Sequence, residues 1–463
     1  MTIYHILGIS ITLIAIVALS IYSGRAAKSK KGANSFVVAG AIMGTLVGGS
    51  STVGTAQLAY TYGMSAWWFT LGSGIACLVL ALIYVKPMRR TGEKTLIAIV
   101  RNEFGDSTGL VASVLSSLGS FINIISQLIA ATAIIAVVIP RMNMAPALVI
   151  SAVFMVVYVI FGGTKGSGIV GILKMLLLYA AMMVSGILVL VMSKGIGGFA
   201  ELVRSIPNPE GIKFHSLFAR GIGTDMGACL SLILGVITTQ SYAQAVFAAE
   251  RTEQSVKGAL LSAALIPPVG IGGILVGLYM RATHPAITPK TALTLFVTEN
   301  MPPFFGGVVL GALFIAVVGT GAGLALGIAT VLRRDIIGRF VKKVKFSART
   351  MEKLLIAVLL AAAAVLSMGP LGDTILNFAF MSMGLRGATI FVPLCCALWL
   401  KNEISENYAL VSVIVGPVAV LLFGLIDILP FDPLFIGIIT SSVVMLIGFF
   451  EGRKKSLAKL PKM

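Results

Sequence analysis

The sequence predicts an all-α polytopic membrane protein, and three observations carry that prediction. Hydrophobic residues make up 57% of the 463-residue chain and charged residues only 11%, with a mean hydropathy of +1.01. Those values lie far outside the range of soluble domains. Apolar runs of about 20 residues, each long enough to cross a hydrocarbon core, recur and give about 13 transmembrane helices. The 35 Lys and Arg residues, against 17 Asp and Glu, gather in alternate loops, which is the signature of membrane orientation rather than of a nucleic-acid partner.

The first run, 4–22, has no basic leader and no small-residue cleavage pattern, so it reads as a helix and not as a signal peptide. The basic loop Arg25 to Lys31 follows. The second run, 37–61, overlaps GTLVGGSSTVGTAQLAYTYG, from Gly44 to Gly63. Four adjacent poor helix formers, Gly48, Gly49, Ser50 and Ser51, predict a break there. A bilayer offers no water to the freed backbone groups, so the stretch either packs small residues against a neighbour or lines a solute or ion site. The third run, 65–85, ends on a loop carrying Lys86, Arg89, Arg90, Lys94 and Arg101. The fourth, 109–139, and the fifth, 145–162, meet at a turn around Pro140, and GGTKGSG separates the fifth from the sixth, 168–192. A polar loop leads to the seventh, 222–248, and the eighth, 259–280. A loop rich in Pro and Thr precedes the ninth, 305–332. The most basic segment, Arg333 to Lys353, comes next, and the runs 354–368, 375–400, 407–426 and 434–450 complete the series.

Assigning alternate loops to opposite sides places about 26 of the 35 Lys and Arg residues on one side, which puts the N-terminus outside and the C-terminus in the cytoplasm of a cell (inner) membrane. Cys77, Cys229, Cys395 and Cys396 all lie in apolar runs with no metal or disulfide spacing. His5, His215 and His284 lie near run ends or in loops. HExxH, GxSxG and Walker patterns and paired intramembrane carboxylates do not occur, so neither an enzyme nor a primary pump is expected. The expected partners are a small solute and the lipid bilayer, with no nucleic acid, no appended signalling domain and no obligate protein partner.

Several ordered features resemble the sodium:solute symporter family. They are SGRAAKSKKGANSFVVAG after the first run, Gly54, Tyr60 and Gly63 in the second, and FGGTKGSG entering the sixth. QSYAQAVFAAE closes the seventh, Asp335-Ile336 follows the ninth, and FVPLCCALWLKN closes the eleventh. The resemblance implies a leucine-transporter-like, inverted five-plus-five helix repeat in which the first helix of each repeat is broken. The repeats would be 37–192 and 222–400, with 4–22 and 407–450 peripheral in one transporter domain. It further implies symport of a small organic solute by alternating access, with sodium as the coupling ion.

Carried onto this chain, the family's sodium site falls on the carbonyls of Gly44, Val47 and Ala316 and on the two hydroxyl positions Gly319 and Thr320. Only Thr320 has a hydroxyl. Where many members carry an Asp on the sixth span this chain has Gly171, with Lys174 about one turn on. A nearby ammonium repels sodium, and some sodium-independent amino-acid transporters of this architecture place a lysine where the cation would be. Lys174 therefore either replaces the cation, making a proton-coupled or facilitative carrier, or snorkels back to the interface.

The solute is expected beside that site. Candidates are Ser50, Ser51, Gln57 and Trp68, then Asn123 and Gln127 one turn apart on one face, and Gln240 and Gln244. Any single Ser or Thr can instead bond its own helix backbone. Arg386 lies roughly 16 Å from the nearer end of its run, too deep to snorkel, which marks it as functional. It holds a solute carboxylate or pairs with Asp225 or Asp373. The carboxylate role favours an anionic or zwitterionic solute. A sensor that keeps a transporter fold without turnover is the remaining alternative.

Overall fold

The computed structural model describes residues 1–26, 32–139, 141–207, 211–338, 347–368, 375–426 and 431–458. Among them the structure is helical, apart from an isolated bridge between Ala33 and Ala249. Asp373 lies outside the described residues. Among the described residues, eight helices are long and apolar enough to cross a membrane, or nine if the bent pair Ile222–Thr238 and Gln240–Ala248 is one span, with three shorter apolar helices besides. The figure of about 13 is therefore not reached on length and composition alone.

The second span breaks where its glycines and serines predict. Helix Ser35–Leu46 stops at Val47, whose backbone is extended, and the chain resumes as a π-helical turn, Ser50–Gly54, before helix Thr55–Tyr62. The freed backbone groups are satisfied by neighbouring side chains. Thr52 Oγ1 donates to the Gly48 carbonyl at 2.8 Å, the Gly48 N–H donates to Ser51 Oγ at 2.8 Å, and the Gly49 N–H donates to Gln127 Oε1 at 2.9 Å. Gly63 then reverses the chain with φ of +63°, at a point where a Cβ would lie 2.1 Å from the Phe214 carbonyl oxygen, so only glycine fits.

The helical run Met144–Met192 contains both the fifth and the sixth spans. A Cβ at Gly319 would lie 3.3 Å from Tyr158 Oη and 3.7 Å from Lys174 Nζ. Sixteen residues of straight helix would hold these two side chains about 24 Å apart, so the run folds back on itself between them. The seventh span is broken as well: Ile222–Thr238 and Gln240–Ala248 meet at Thr239 (φ −88°, ψ 120°) with a 48° bend. Burial differs widely among the spans. In the ninth span, Pro303–Arg334, 83% of the apolar window is buried, against 28% in the last, Leu434–Arg453. The ninth is a core helix, and the last faces lipid.

Candidate functional site: a lysine at the break of the second span

Lys174 does not snorkel. It is 3% exposed, and its Nζ donates to the Gly44 carbonyl at 2.5 Å and to Thr320 Oγ1 at 2.7 Å. Two of the predicted cation ligands thus surround an ammonium. Ala316 lies one turn before Thr320 and is fully buried, as is Val47 at the helix break. Tyr158, which sequence reasoning missed, completes the lining at Gly319; as one tyrosine in an apolar run it carries no signal of its own.

Gly171 has a packing role. A Cβ there would lie 2.2 Å from the Gly40 carbonyl oxygen, and one on Gly44 would lie 2.8 Å from the Gly171 Cα. The sixth span touches the second backbone to backbone, which brings Lys174 within reach of Gly44. It also leaves no room at position 171 for a carboxylate.

The polar candidates beside the break form one closed network. Gln127 Nε2 donates to Ser50 Oγ at 3.0 Å and to Asn123 Oδ1 at 3.2 Å, while Ser50 and Ser126 hydroxyls lie 3.1 Å apart. Gln57 Oε1 accepts the Ile375 N–H at 3.1 Å, and Ser126 donates to the Ile375 carbonyl at 2.9 Å. The second, fourth and eleventh spans are thereby joined. Ser51 stays with the backbone of the break. The network adjoins the lysine, since a Cβ at Gly48 would meet both Thr320 Oγ1 and Gln127 Oε1.

Three candidates lie elsewhere. Trp68 donates its indole N–H to the Leu217 carbonyl at 2.7 Å, towards the loop that precedes the seventh span. Gln240 accepts the Leu96 N–H at 3.0 Å, near the opposite, basic-loop side, and Gln244 is exposed.

Arg386 is fully buried, but its partners are neutral. Its Nη1 donates to Thr239 Oγ1 at 2.7 Å, Nε to the Ser382 carbonyl at 3.1 Å, and Nη2 to Ser382 Oγ at 3.1 Å and Met383 Sδ at 3.0 Å. The expected alternative of a bond to Asp225 is corrected. Asp225 is taken by Arg220, at 2.7 Å, and by the Ser65 hydroxyl, at 2.6 Å.

The chain as a whole is similar to known proteins. The sodium:solute symporter family matches residues 29–416. The chain belongs to that family. It is 30% identical over 188 residues to an uncharacterized symporter, YwcA, of Bacillus subtilis (strain 168), and 22% identical over 387 residues to the human high affinity choline transporter 1. These alignments cover 38% and 77% of this chain and only 36% and 64% of the relatives' own lengths. Among solved structures, a sodium-coupled sialic acid symporter in a substrate-bound, outward-open state superposes with a TM-score of 0.76 at 17% identity, over 97% of both chains. A nucleobase-cation-symport-1 family transporter in a closed conformation gives 0.62 at 14%, over 93% of this chain and 94% of its own. The fold is accordingly that of the leucine-transporter-like carriers.

In this sodium:solute symporter family member the two ends of the core differ. Away from the basic loops, Arg220 bridges Asp225 and Ser65 and lies 5.4 Å over the Phe380 ring, while Trp68 packs on Phe218. That clasp ties together the third, seventh and eleventh spans. Arg220 and Ser65 were also missed by sequence reasoning, because nothing local signals a pair 155 residues apart.

Proposed function

We propose that this chain is a secondary carrier of a small polar organic solute, anionic or zwitterionic, in which Lys174 stands in the place of the coupling cation. The carrying observation is the position of its Nζ, which donates to both the Gly44 carbonyl and the Thr320 hydroxyl. An ammonium there supplies the charge that a sodium ion supplies elsewhere and excludes sodium by repulsion. Coupling then falls to a proton on Lys174, or the carrier is facilitative. The family supports symport and alternating access; a sodium-coupled mode of this chain requires Lys174 to leave both acceptors.

The repeats of the carrier are 37–192 and 222–400, with 4–22 and 407–450 outside them. The positive-inside rule puts the N-terminus outside and the C-terminus in the cytoplasm of the cell membrane. A quaternary ammonium such as the choline named for the human relative fits poorly beside two buried cations, Lys174 and Arg386. The test is thermal unfolding of the purified protein in sodium, lithium and potassium at fixed ionic strength, because a ligand of the native state raises the midpoint. The expected result is no sodium-specific rise. A rise confined to sodium overturns the assignment of Lys174.

A further inference from the structure

Arg386 brings a full positive charge to bilayer depth, and among the described residues no carboxylate answers it. Its four acceptors are a carbonyl, two hydroxyls and a thioether. Such a charge is costly and marks a site. One of those acceptors, Thr239 Oγ1, is the pivot of the broken seventh span. That hydroxyl donates onward to the Gly235 carbonyl at 2.5 Å and does not cap the helix that starts beside it, Gln240–Ala248. The Tyr242 and Ala243 N–H groups of that helix donate to the Thr239 carbonyl at 3.2 Å, so its first turn offers an anion those of Gln240 and Ser241, and its dipole favours an anion at this end.

A cavity opens at the same place. Its wall comprises Thr239, Gln240 and Ser241 from the break and Ser116, Ser117 and Ser120 from the fourth span, and its volume of about 20 Å³ admits a group of one or two waters' size. The ninth-span residues that close it, Gly327 and Val331, lie just before Arg333, so it lies towards the basic-loop side. A helix N-terminus and a hydroxyl-rich cavity therefore meet at Thr239, with the buried Arg386 guanidinium one hydrogen bond behind it, away from the Gln127 network.

We infer that Arg386, Thr239 and the first turn of Gln240–Ala248 form a carboxylate subsite, and that the solute is a small organic anion rather than a zwitterion or a cation. This rests on the carrier reading above and narrows it. A carboxylate oxygen entering the cavity accepts from the Thr239 hydroxyl, which turns from the Gly235 carbonyl while keeping its bond from Nη1, and the other oxygen meets the N–H groups of Gln240 and Ser241. Among the described residues, the fully buried Asp225 is already held by Arg220 and Ser65 and is not free to meet an ammonium on the solute.

The test uses the purified full chain in thermal unfolding, with potassium acetate, potassium pyruvate, potassium chloride, glycine and choline chloride titrated at ionic strength fixed by potassium sulfate. Acetate and pyruvate are expected to raise the midpoint saturably, and chloride, glycine and choline are not. Thr239→Val and Arg386→Lys are each expected to weaken acetate by about tenfold or more, the worth of one charge-assisted hydrogen bond. If Arg386→Lys fails to fold, Thr239→Val decides. Stabilisation by chloride alone assigns an inorganic-anion site and overturns the proposal. So does glycine or choline acting as strongly as acetate, or acetate binding that neither variant weakens. Acetate that binds but never accumulates in proteoliposomes overturns the carrier reading and leaves the subsite; pyruvate uptake indifferent to Thr239→Val overturns the subsite and leaves the carrier.

Discussion

Exchanging the charge at the break of the second span for oxygen should convert a sodium-indifferent protein into a sodium-responsive one. Lys174→Ala removes two charge-assisted hydrogen bonds, at 2.5 and 2.7 Å, together about 3–6 kcal/mol. It also removes the burial cost of an ammonium, which is several kcal/mol. The two offset, so the single variant shifts the midpoint little. The decisive variant adds Gly319→Ser. A Cβ there stands 3.7 Å from the position of Lys174 Nζ and 3.3 Å from Tyr158 Oη, so the serine fits with a shift of a few tenths of an ångström in Tyr158. Its hydroxyl then joins Thr320 Oγ1 and the Gly44 carbonyl around the vacated point. Sodium at about ten times its Kd stabilises by RT ln 11, about 1.4 kcal/mol, a midpoint rise on the order of 2 °C for a chain of this size. Thermal unfolding in sodium against potassium reads it directly. A sodium-specific rise in the unmodified protein, or none in a folded double variant, would refute the reasoning.

Asp225→Asn breaks a pair in which Asp225 is fully buried and Arg220 about one-tenth exposed; the expected loss is about 3–5 kcal/mol, with faster alkylation of Cys229, one turn along the same helix, by an impermeant maleimide. Unchanged labelling would show that the clasp does not close this side. Gly171→Ala drives a Cβ against the Gly40 carbonyl oxygen and should cost about 1–3 kcal/mol through overpacking, read as a lowered midpoint; an unchanged midpoint would mean the spans do not touch there. Burial raises the Asp432 carboxyl above its ordinary value, opposed by the Leu434 N–H and by Arg220. A carboxyl raised in the folded state holds its proton more tightly there than in the unfolded chain, so its contribution to stability grows as pH falls through the folded value. Asp432→Asn should flatten the acid side of the midpoint-against-pH curve; a curve identical to that of the unmodified protein would contradict this.

The break at Gly48 to Ser51 was legible because four adjacent positions lack helix propensity, and local propensity acts without tertiary help. The break at Thr239 was not legible in the residues; the resemblance implied a broken seventh span without giving its position. GVITTQSYAQ offers only a pair of β-branched threonines, and its bend is imposed by what the two half-helices pack against. The depth of Arg386 could be counted along an apolar run, but its partners could not, because a pairing across 147 residues leaves no periodicity. Gln240 and Gln244 were grouped with the solute candidates by span alone; past the 48° bend Gln240 lines the cavity at Thr239 and Gln244 is exposed.

The sequence by itself determined the membrane class, the loop-charge asymmetry and the broken second span, since each follows from composition or from residues close together in the chain, while the resemblance to the symporter family implied the candidate cation position. Only the tertiary structure decided where Lys174 points. The contact of Gly171 with the backbone of the second span sets that direction, and a lysine stem can reach either an interface or a carbonyl until the neighbouring helix is in place.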